Sequence, residues 1–171
     1  MAALSDLLDD VVSDVEAVLL FSPSNAHYRQ FADADLDEDL LVVAPEDVVD
    51  AEIYVALPLD FENVRDRIRF GIEGALERGL VEAEDVVACS VRIFGDDPDG
   101  VVRIRVTESM RSGIYDLFAN SRAEPGVIRD VFEVAIELGK KGQKGKPVGA
   151  LFVVGDAGKV MNKSRPLSYN P

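Results

Sequence analysis

The chain has 171 residues, of which 32 are acidic and 18 are Lys or Arg, for a net charge of −14. This balance excludes a simple nucleic-acid binder, which needs a basic face against phosphates, and 47% hydrophobic residues exclude extensive disorder. A single cysteine excludes a disulfide framework. No apolar run reaches the length of a membrane span, and the acidic start lacks the basic region of a secretion signal. We therefore expect a cytoplasmic protein with no membrane or nucleic-acid partner.

The charge changes sign along the chain. Residues 1–139 hold 31 acids and 11 bases, all of the bases arginine, whereas residues 140–171 hold one acid and seven bases. The acidic part indicates either adaptation to high salt, the interpretation we favour, or a surface that repels partners and attracts cations. The basic part is either a solvated loop or the edge of an anion site. The abrupt shift predicts a change of role near residue 140.

Hydrophobic periodicity predicts alternating helices and strands in the first part of the chain. The predicted elements are a helix over Leu4–Val15, a strand over Ala17–Phe21, a short helix around Ala26–Ala32, strands over Leu40–Ala44 and Ile53–Leu57, and a helix over Phe61–Arg78. We expect the last helix to be capped by Asp60 and ended by Gly79. Within it, Glu73 should face water, and Gly71 should let another backbone approach.

A hairpin and a second unit are predicted to follow. The hairpin consists of strands over Asp85–Phe94 and Val101–Val106 joined by a Gly95–Gly100 turn, and a helix within Met110–Asn120 and a linker over Ser121–Gly126 follow it. The second unit consists of a helix over Val127–Leu138 ended by Gly139, an exposed Lys140–Lys146 loop, a buried strand over Val148–Val154 and a Gly155–Gly158 turn. This order predicts an α/β fold whose first five strands close one sheet. The last strand would need neighbours on both sides.

The glycine- and lysine-rich segment 139–147 does not match a phosphate-binding loop. Gly139, Gly142 and Gly145 lack the required spacing, Lys146 is followed by Pro147, and the segment runs from helix to strand rather than from strand to helix.

Single residues also give little chemistry. Ser22 and Ser24 follow the first strand at its carboxyl end, where α/β sheets bind ligands, although turn formation around Pro23 is the favoured explanation. His27 is the lone histidine, so neither a metal site nor a Ser-His-Asp set is expected. Cys89 fits a core position. The Asn162–Ser164 sequon has no signal peptide to make it reachable.

The end of the chain carries a family resemblance. Residues 146–156 (KPVGALFVVGD) and 162–171 (NKSRPLSYNP), with the helix that contains Phe132, Glu133 and Leu138, resemble the opening of the diadenylate cyclase domain (DAC or DisA-N domain) in its archaeal form. In that family an α/β domain similar to the pyruvate kinase C-terminal domain comes first. Residues 74–106 loosely resemble the closing part of that fold.

The resemblance implies three regions. These are a three-layer, pyruvate-kinase-C-terminal-like α/β domain over 1–120, a linker over 121–126 and an incomplete diadenylate cyclase domain over 127–171. The family's full-length enzymes condense two ATP into cyclic di-AMP and two pyrophosphates with Mn²⁺ or Mg²⁺, in facing subunits, so ATP and a homo-oligomer are the implied partners.

The sequence departs from the family at its catalytic motifs. Asp-Gly-Ala and Arg-His-Arg are absent: Asp99-Gly100 is followed by Val101 in a turn, and no arginine flanks His27. No catalytic, nucleotide-binding or metal residue is therefore carried over, and we expect this chain alone to need no metal and to be inactive. The alternatives are a non-enzymatic ligand-binding or oligomerisation module and an unrelated α/β protein.

Overall fold

The computed structural model describes residues 11–34, 36, 38–95, 98–142, 146 and 149–164, and it divides the chain into two compact units, Met1–Asn120 and Ser121–Pro171. The first unit contains five strands, β1 (Ala17–Phe21), β2 (Asp39–Ala44), β3 (Ile53–Ala56), β4 (Val86–Val91) and β5 (Gly100–Arg105). Its helices are α1 (Asn25–Ala32), α2 (Val64–Glu77) and α3 (Ile114–Ala119), with a 3₁₀ turn at Glu108–Met110. The strands and main helix confirm the predicted α/β class.

All five strands form one sheet in the order β3-β2-β1-β4-β5. The first four strands are parallel, and β5 returns antiparallel to β4, which confirms the predicted hairpin. β1 is the central strand and is completely buried, as its unbroken apolar sequence requires. β5 is the exposed edge, where Arg103 and Arg105 discourage pairing with another chain. Val102 of this strand is 37% exposed.

The sheet is covered on both faces, giving three layers. On one face, Phe31 of α1 joins a core cluster with Val18, Leu20 and Ala88 of the sheet. On the other face, a Cβ added at Gly71 of α2 would lie 2.6 Å from the Phe21 ring. Gly71 and Gly74 of α2 thus leave room for side chains of the sheet and of α3, rather than for a second backbone.

The ends of α2 differ from the prediction only at the start. Asn63, not Asp60, caps the helix, and its side chain accepts from the N–H of Arg65 at 2.9 Å. Asp60 lies three residues too early to reach those amides and pairs with arginines instead. At the other end, Gly79 has φ +66° and Leu80 donates to the Ala75 carbonyl, a glycine-terminated Schellman ending.

The second unit contains α4 (Pro125–Lys141) and α5 (Ala157–Lys163). The predicted end of α4 at Gly139 is wrong: Gly139 is helical, and Gly142, with φ +61°, ends the helix. The strand predicted over Val148–Val154 is also wrong in its described part, since residues 149–154 are exposed and form no strand. Among the described residues of this unit no strand lies beside them, so their backbone groups lack a ladder partner. Where the Gly155–Gly158 turn was predicted, the chain enters α5. Asp156 caps this helix by accepting a hydrogen bond from the Lys159 N–H at 2.9 Å.

Two predicted elements lie partly or wholly in segments that are not described. Of the helix over Leu4–Val15, only residues 11–15 are described, and residues 11 and 12 are helical. The exposed loop predicted over Lys140–Lys146 begins inside α4, and its residues 143–145 lie outside the described residues.

Candidate functional site at the carboxyl edge of the sheet

The strand order creates a crevice at the carboxyl ends of β1 and β4. The chain passes from β1 outward to β2 and β3, then crosses back to place β4 on the other side of β1. Connections that leave neighbouring parallel strands in opposite directions open a gap at their carboxyl ends, which is where such sheets bind ligands. The residues that follow β1 and β4 therefore define the candidate site.

Ser22 and Ser24 lie where the sequence predicted, directly after β1. Ser24 caps α1 and accepts a hydrogen bond from the His27 N–H at 3.2 Å. Ser22 has φ +46°, a strained conformation for a residue other than glycine. Its N–H donates to the Val43 carbonyl at 2.9 Å, while its buried hydroxyl oxygen has no hydrogen-bond partner among the described residues. Turn formation accounts for Ser24 but leaves the Ser22 hydroxyl unexplained.

His27 is held against the end of β4. Its Nε2 lies 3.0 Å from the Ser90 hydroxyl, and its ring packs edge-on to Phe31 at 5.1 Å between centroids. These contacts fix α1 against β4 beside the crevice. The structure therefore gives the lone histidine a structural partner that sequence reasoning did not identify.

Two arginines converge on one carboxylate at the same edge. Arg92 directly follows β4, and its Nη2 lies 2.8 Å from Asp60 Oδ2. Arg67, from the first turns of α2, places Nε 3.3 Å from Asp60 Oδ1 and also donates to the Phe61 carbonyl. Arg67 is only 6% exposed. Burial lowers the pKa of Arg67, Asp60 opposes that shift, and Arg92 adds to it.

This arginine pair has more positive charge and more donors than its partners use. Among the residues that the structure describes, two guanidinium groups share a single carboxylate, and neither Nη1 of Arg67 nor Nε of Arg92 has a hydrogen-bond partner, although both atoms are buried. Sequence reasoning missed both arginines. Arg92 could have been found as a charged residue placed directly after a buried strand, whereas the burial of Arg67 depends on tertiary contacts with the 60–61 segment.

The remaining candidates have structural roles. Burial raises the pKa of the Cys89 thiol to about 12, which fits the predicted core position. Asp99 accepts from the N–H groups of Ile93, Phe94 and Gly95 at 2.6–2.9 Å, and these bonds lower its pKa. Asp99 therefore ties the hairpin link together, as expected for a turn residue.

The chemistry of a divalent metal site is not present in the described part of the chain. Within residues 11–34, 36, 38–95, 98–142, 146 and 149–164, no three His, Cys, Asp or Glu side chains come together as ligands. The same residues include no helix long and apolar enough to cross a membrane. Lys159 and Lys163 lie on α5, at the basic end of the chain, and Arg165 lies outside the described residues.

A second concavity lies between α2 and β5. It has a volume of about 800 Å³ and is lined by Arg65, Ile68, Arg69, Ile104 and Met110, among other residues. The groove is open and combines apolar side chains with two exposed arginines. Unlike the candidate site at the carboxyl edge of the sheet, this groove contains no buried polar side-chain atom that lacks a partner among the described residues.

The strand order and the helices on both faces of the sheet define this chain's first unit as a three-layer α/β domain. A family model described as "Diadenylate cyclase, N-terminal" matches residues 1–126. The chain belongs to this family.

Two curated relatives carry the name diadenylate cyclase. The chain is 71% identical to the one from Haloferax volcanii over all of its 171 residues, which span 63% of that protein. It is 32% identical to the one from Methanocaldococcus jannaschii over 111 residues, or 35% of that protein. Thus the archaeal diadenylate cyclase resemblance is confirmed, and the chain spans less than two thirds of either relative.

A solved structure also resembles the chain. A pyruvate kinase from Cryptosporidium parvum aligns with 58% of this chain and 20% of its own, at 12% identity and a TM-score of 0.46. That score is too low to assign a fold, so the three-layer α/β architecture rests on the strand order and helix packing described above.

Proposed function

We propose that this chain is the N-terminal portion of a diadenylate cyclase whose complete polypeptide condenses two ATP into cyclic di-AMP. The observation that carries the proposal is the family match over residues 1–126, together with 71% identity to a diadenylate cyclase along the whole chain. We place the accessory α/β domain at residues 1–120, a linker at 121–126 and the start of the cyclase domain at 127–171, although Pro125 and Gly126 at the end of this linker already form the first turn of α4.

The proposed reaction explains why the chain alone should be inactive. Each ATP 3′-hydroxyl attacks the α-phosphorus of the other ATP, so two P–O bonds form, two α–β phosphoanhydride bonds break, and two pyrophosphates and two protons leave. Such transfers depend on carboxylates that hold Mn²⁺ or Mg²⁺ and on cations around the phosphates. The 171 residues contain neither Asp-Gly-Ala nor Arg-His-Arg. The described residues also do not fit a metal site.

The reaction also requires two nucleotides to face each other. A subunit that presents one ATP needs a second subunit to present the other, so the proposal includes a homo-oligomer of the complete protein. We expect it to act in the cytoplasm, where ATP is available.

Product formation tests this proposal. The 171-residue chain and the complete gene product are each incubated with ATP and Mn²⁺ in molar KCl, and cyclic di-AMP is quantified by liquid chromatography with mass spectrometry. We expect product from the complete polypeptide and none from the 171-residue chain. Product from the short chain would place the chemistry within these residues. No product from a complete polypeptide that carries both motifs would overturn the cyclase proposal and favour a non-enzymatic binding or oligomerisation module.

A further inference from the structure

We propose that the carboxyl edge of the sheet is a binding site for a small oxyanion, a tetrahedral phosphate either free or as a monoester. The site consists of Ser22, Arg67 and Arg92, with Asp60 as its internal counterion; we call it the arginine-edge site. This inference concerns the first unit alone and does not depend on the cyclase activity of the complete polypeptide.

The first argument is charge balance. Arg67 and Arg92 both pair with Asp60, at 3.3 and 2.8 Å, and the group keeps one positive charge in excess. A cation withdrawn from water is costly unless an anion compensates it. Acids are plentiful in this chain, yet the described residues place no second carboxylate within salt-bridge distance of either arginine. An external anion would supply the missing charge.

The second argument is hydrogen bonding. Nearly all buried polar groups in folded proteins have partners, so a group of unpartnered ones requires an explanation. Ser22 Oγ, Arg67 Nη1 and Arg92 Nε are all buried without a partner in the described part of the chain. Guanidinium groups match the paired oxygens of phosphate better than any other side chain does. A tetrahedral oxyanion has enough lone pairs to accept from two arginines and a hydroxyl.

The third argument is position. The β1–β4 ladder ends at the pair Leu20 and Ser90, so Ser22 and Arg92 each lie two residues beyond the same register point. They therefore leave adjacent strands at the crevice. α1 begins at Asn25, three residues after Ser22, so its amino end lies at the same edge. The positive end of a helix dipole favours an anion there.

Asp60 controls access to this site. Its side chain is 47% exposed and that of Arg92 is 24% exposed, whereas Arg67 is buried behind them. An anion arriving from solvent meets Arg92 first and competes with the Asp60 carboxylate for it. Removing the Asp60 charge should therefore strengthen anion binding, a response opposite in sign to removing an arginine.

Calorimetric titration of the 171-residue chain tests the site. Inorganic phosphate and glycerol 3-phosphate are titrated separately at constant ionic strength set with KCl. Arg92→Gln should weaken binding about tenfold or more, because it removes a charge-assisted contact. Ser22→Ala should weaken it by a smaller factor, and Asp60→Asn should strengthen it. Arg105→Gln is the matched control, because it removes the same charge from an exposed side chain of the same unit, and Arg105 lies beside Val86 at the amino end of β4, opposite the site.

The comparison of ligands and variants decides the outcome. Tighter binding of glycerol 3-phosphate identifies a phosphate monoester as the ligand, whereas equal or weaker binding identifies free phosphate. Absence of heat from both ligands in wild type and in Asp60→Asn would overturn the proposal. So would equal weakening by Arg92→Gln and Arg105→Gln, which would mean nonspecific attraction. If Arg92→Gln fails to fold, the opposite responses expected from Asp60→Asn and Ser22→Ala still decide it.

Discussion

Removing the buried carboxylate of Glu73 should destabilise the first unit more than any surface substitution. Glu73 lies on α2, is 2% exposed, and was expected from helical periodicity to face water. Its Oε1 accepts from the N–H groups of Ser112, Ile114 and Tyr115 at 3.0–3.2 Å, and the Ser112 hydroxyl lies 2.8 Å from both oxygens. The carboxylate therefore joins α2 to the start of α3.

The structure sets the size of the effect. Glu73→Ala leaves four donors without their acceptor, and each buried unsatisfied group costs about 1–3 kcal/mol. Allowing for water that enters beside partly buried Ser112, we expect a loss of about 3–5 kcal/mol. Glu73→Gln keeps one carbonyl oxygen for the three backbone donors and should cost about 1–2 kcal/mol. Glu77→Gln, which breaks only a 3.6 Å pair with Arg111, should cost about 1 kcal/mol or less.

Urea denaturation in molar KCl measures these differences. Amide hydrogen exchange at Ile114 and Tyr115 gives a second, local measurement, and protection there should fall most in Glu73→Ala. A Glu73→Ala chain as stable as Glu77→Gln would refute the reasoning. Equal losses from Glu73→Ala and Glu73→Gln would show that the charge matters and that the geometry of the hydrogen bonds does not.

Four further predictions follow from composition and packing. Because residues 1–139 carry a net charge of −20, the melting temperature should rise steeply from low to molar KCl, and a flat profile would exclude salt adaptation. Burial raises the pKa of the Cys89 thiol from 9.0 to about 12, so Cys89 should resist thiol reagents at pH 8 in the folded chain. The stabilisation that depends on a neutral Cys89 thiol is complete below pH 9 and is lost as the pH rises toward 12, because the unfolded chain ionises first. Limited proteolysis should first cut at residues 120–124 or 142–146, and first cuts inside α2 would contradict the proposed linker. Gly71→Ala should cost about 1–3 kcal/mol through overlap with a phenylalanine ring, whereas Gly139→Ala, which meets nothing within 4 Å, should gain about 0.5–1 kcal/mol in urea denaturation.

Local sequence signals predicted most of the first unit because its elements are locally encoded. The runs Ala17–Phe21 and Leu40–Ala44 are too apolar to be anything but buried strands, and the Gly95–Gly100 cluster marks a hairpin. Gly79 correctly predicted the end of α2 because the residue that ends this helix needs a positive φ, and that requirement concerns a single position.

The errors occur where a distant partner decides the structure. Glu73 is buried because donors 39 to 42 residues away surround it, and periodicity within α2 contains no information about them. Asp60 lies too early in the chain to cap α2 and instead pairs with two arginines, one of which, Arg92, is 32 residues away. Residues 149–154 have the composition of a strand but lack a described neighbour to pair with, so composition alone predicted an element that is absent.

The burial of Arg67 in the arginine-edge site could not be predicted from the sequence for a related cause, and the geometry of α2 explains why. One helix carries both a buried cation near its start and a buried anion further along, Arg67 and Glu73. Each would be costly alone, yet they do not neutralise each other: Arg67 is drawn to Asp60 and Glu73 to the amino end of α3. Three backbone N–H groups and the Ser112 hydroxyl donate to the Glu73 carboxylate, whereas the arginines retain unused donors among the described residues. The Glu73 carboxylate finds its hydrogen-bond donors within the protein, whereas the arginine pair lacks acceptors among the described residues. A ligand is therefore expected at the arginines and none at Glu73.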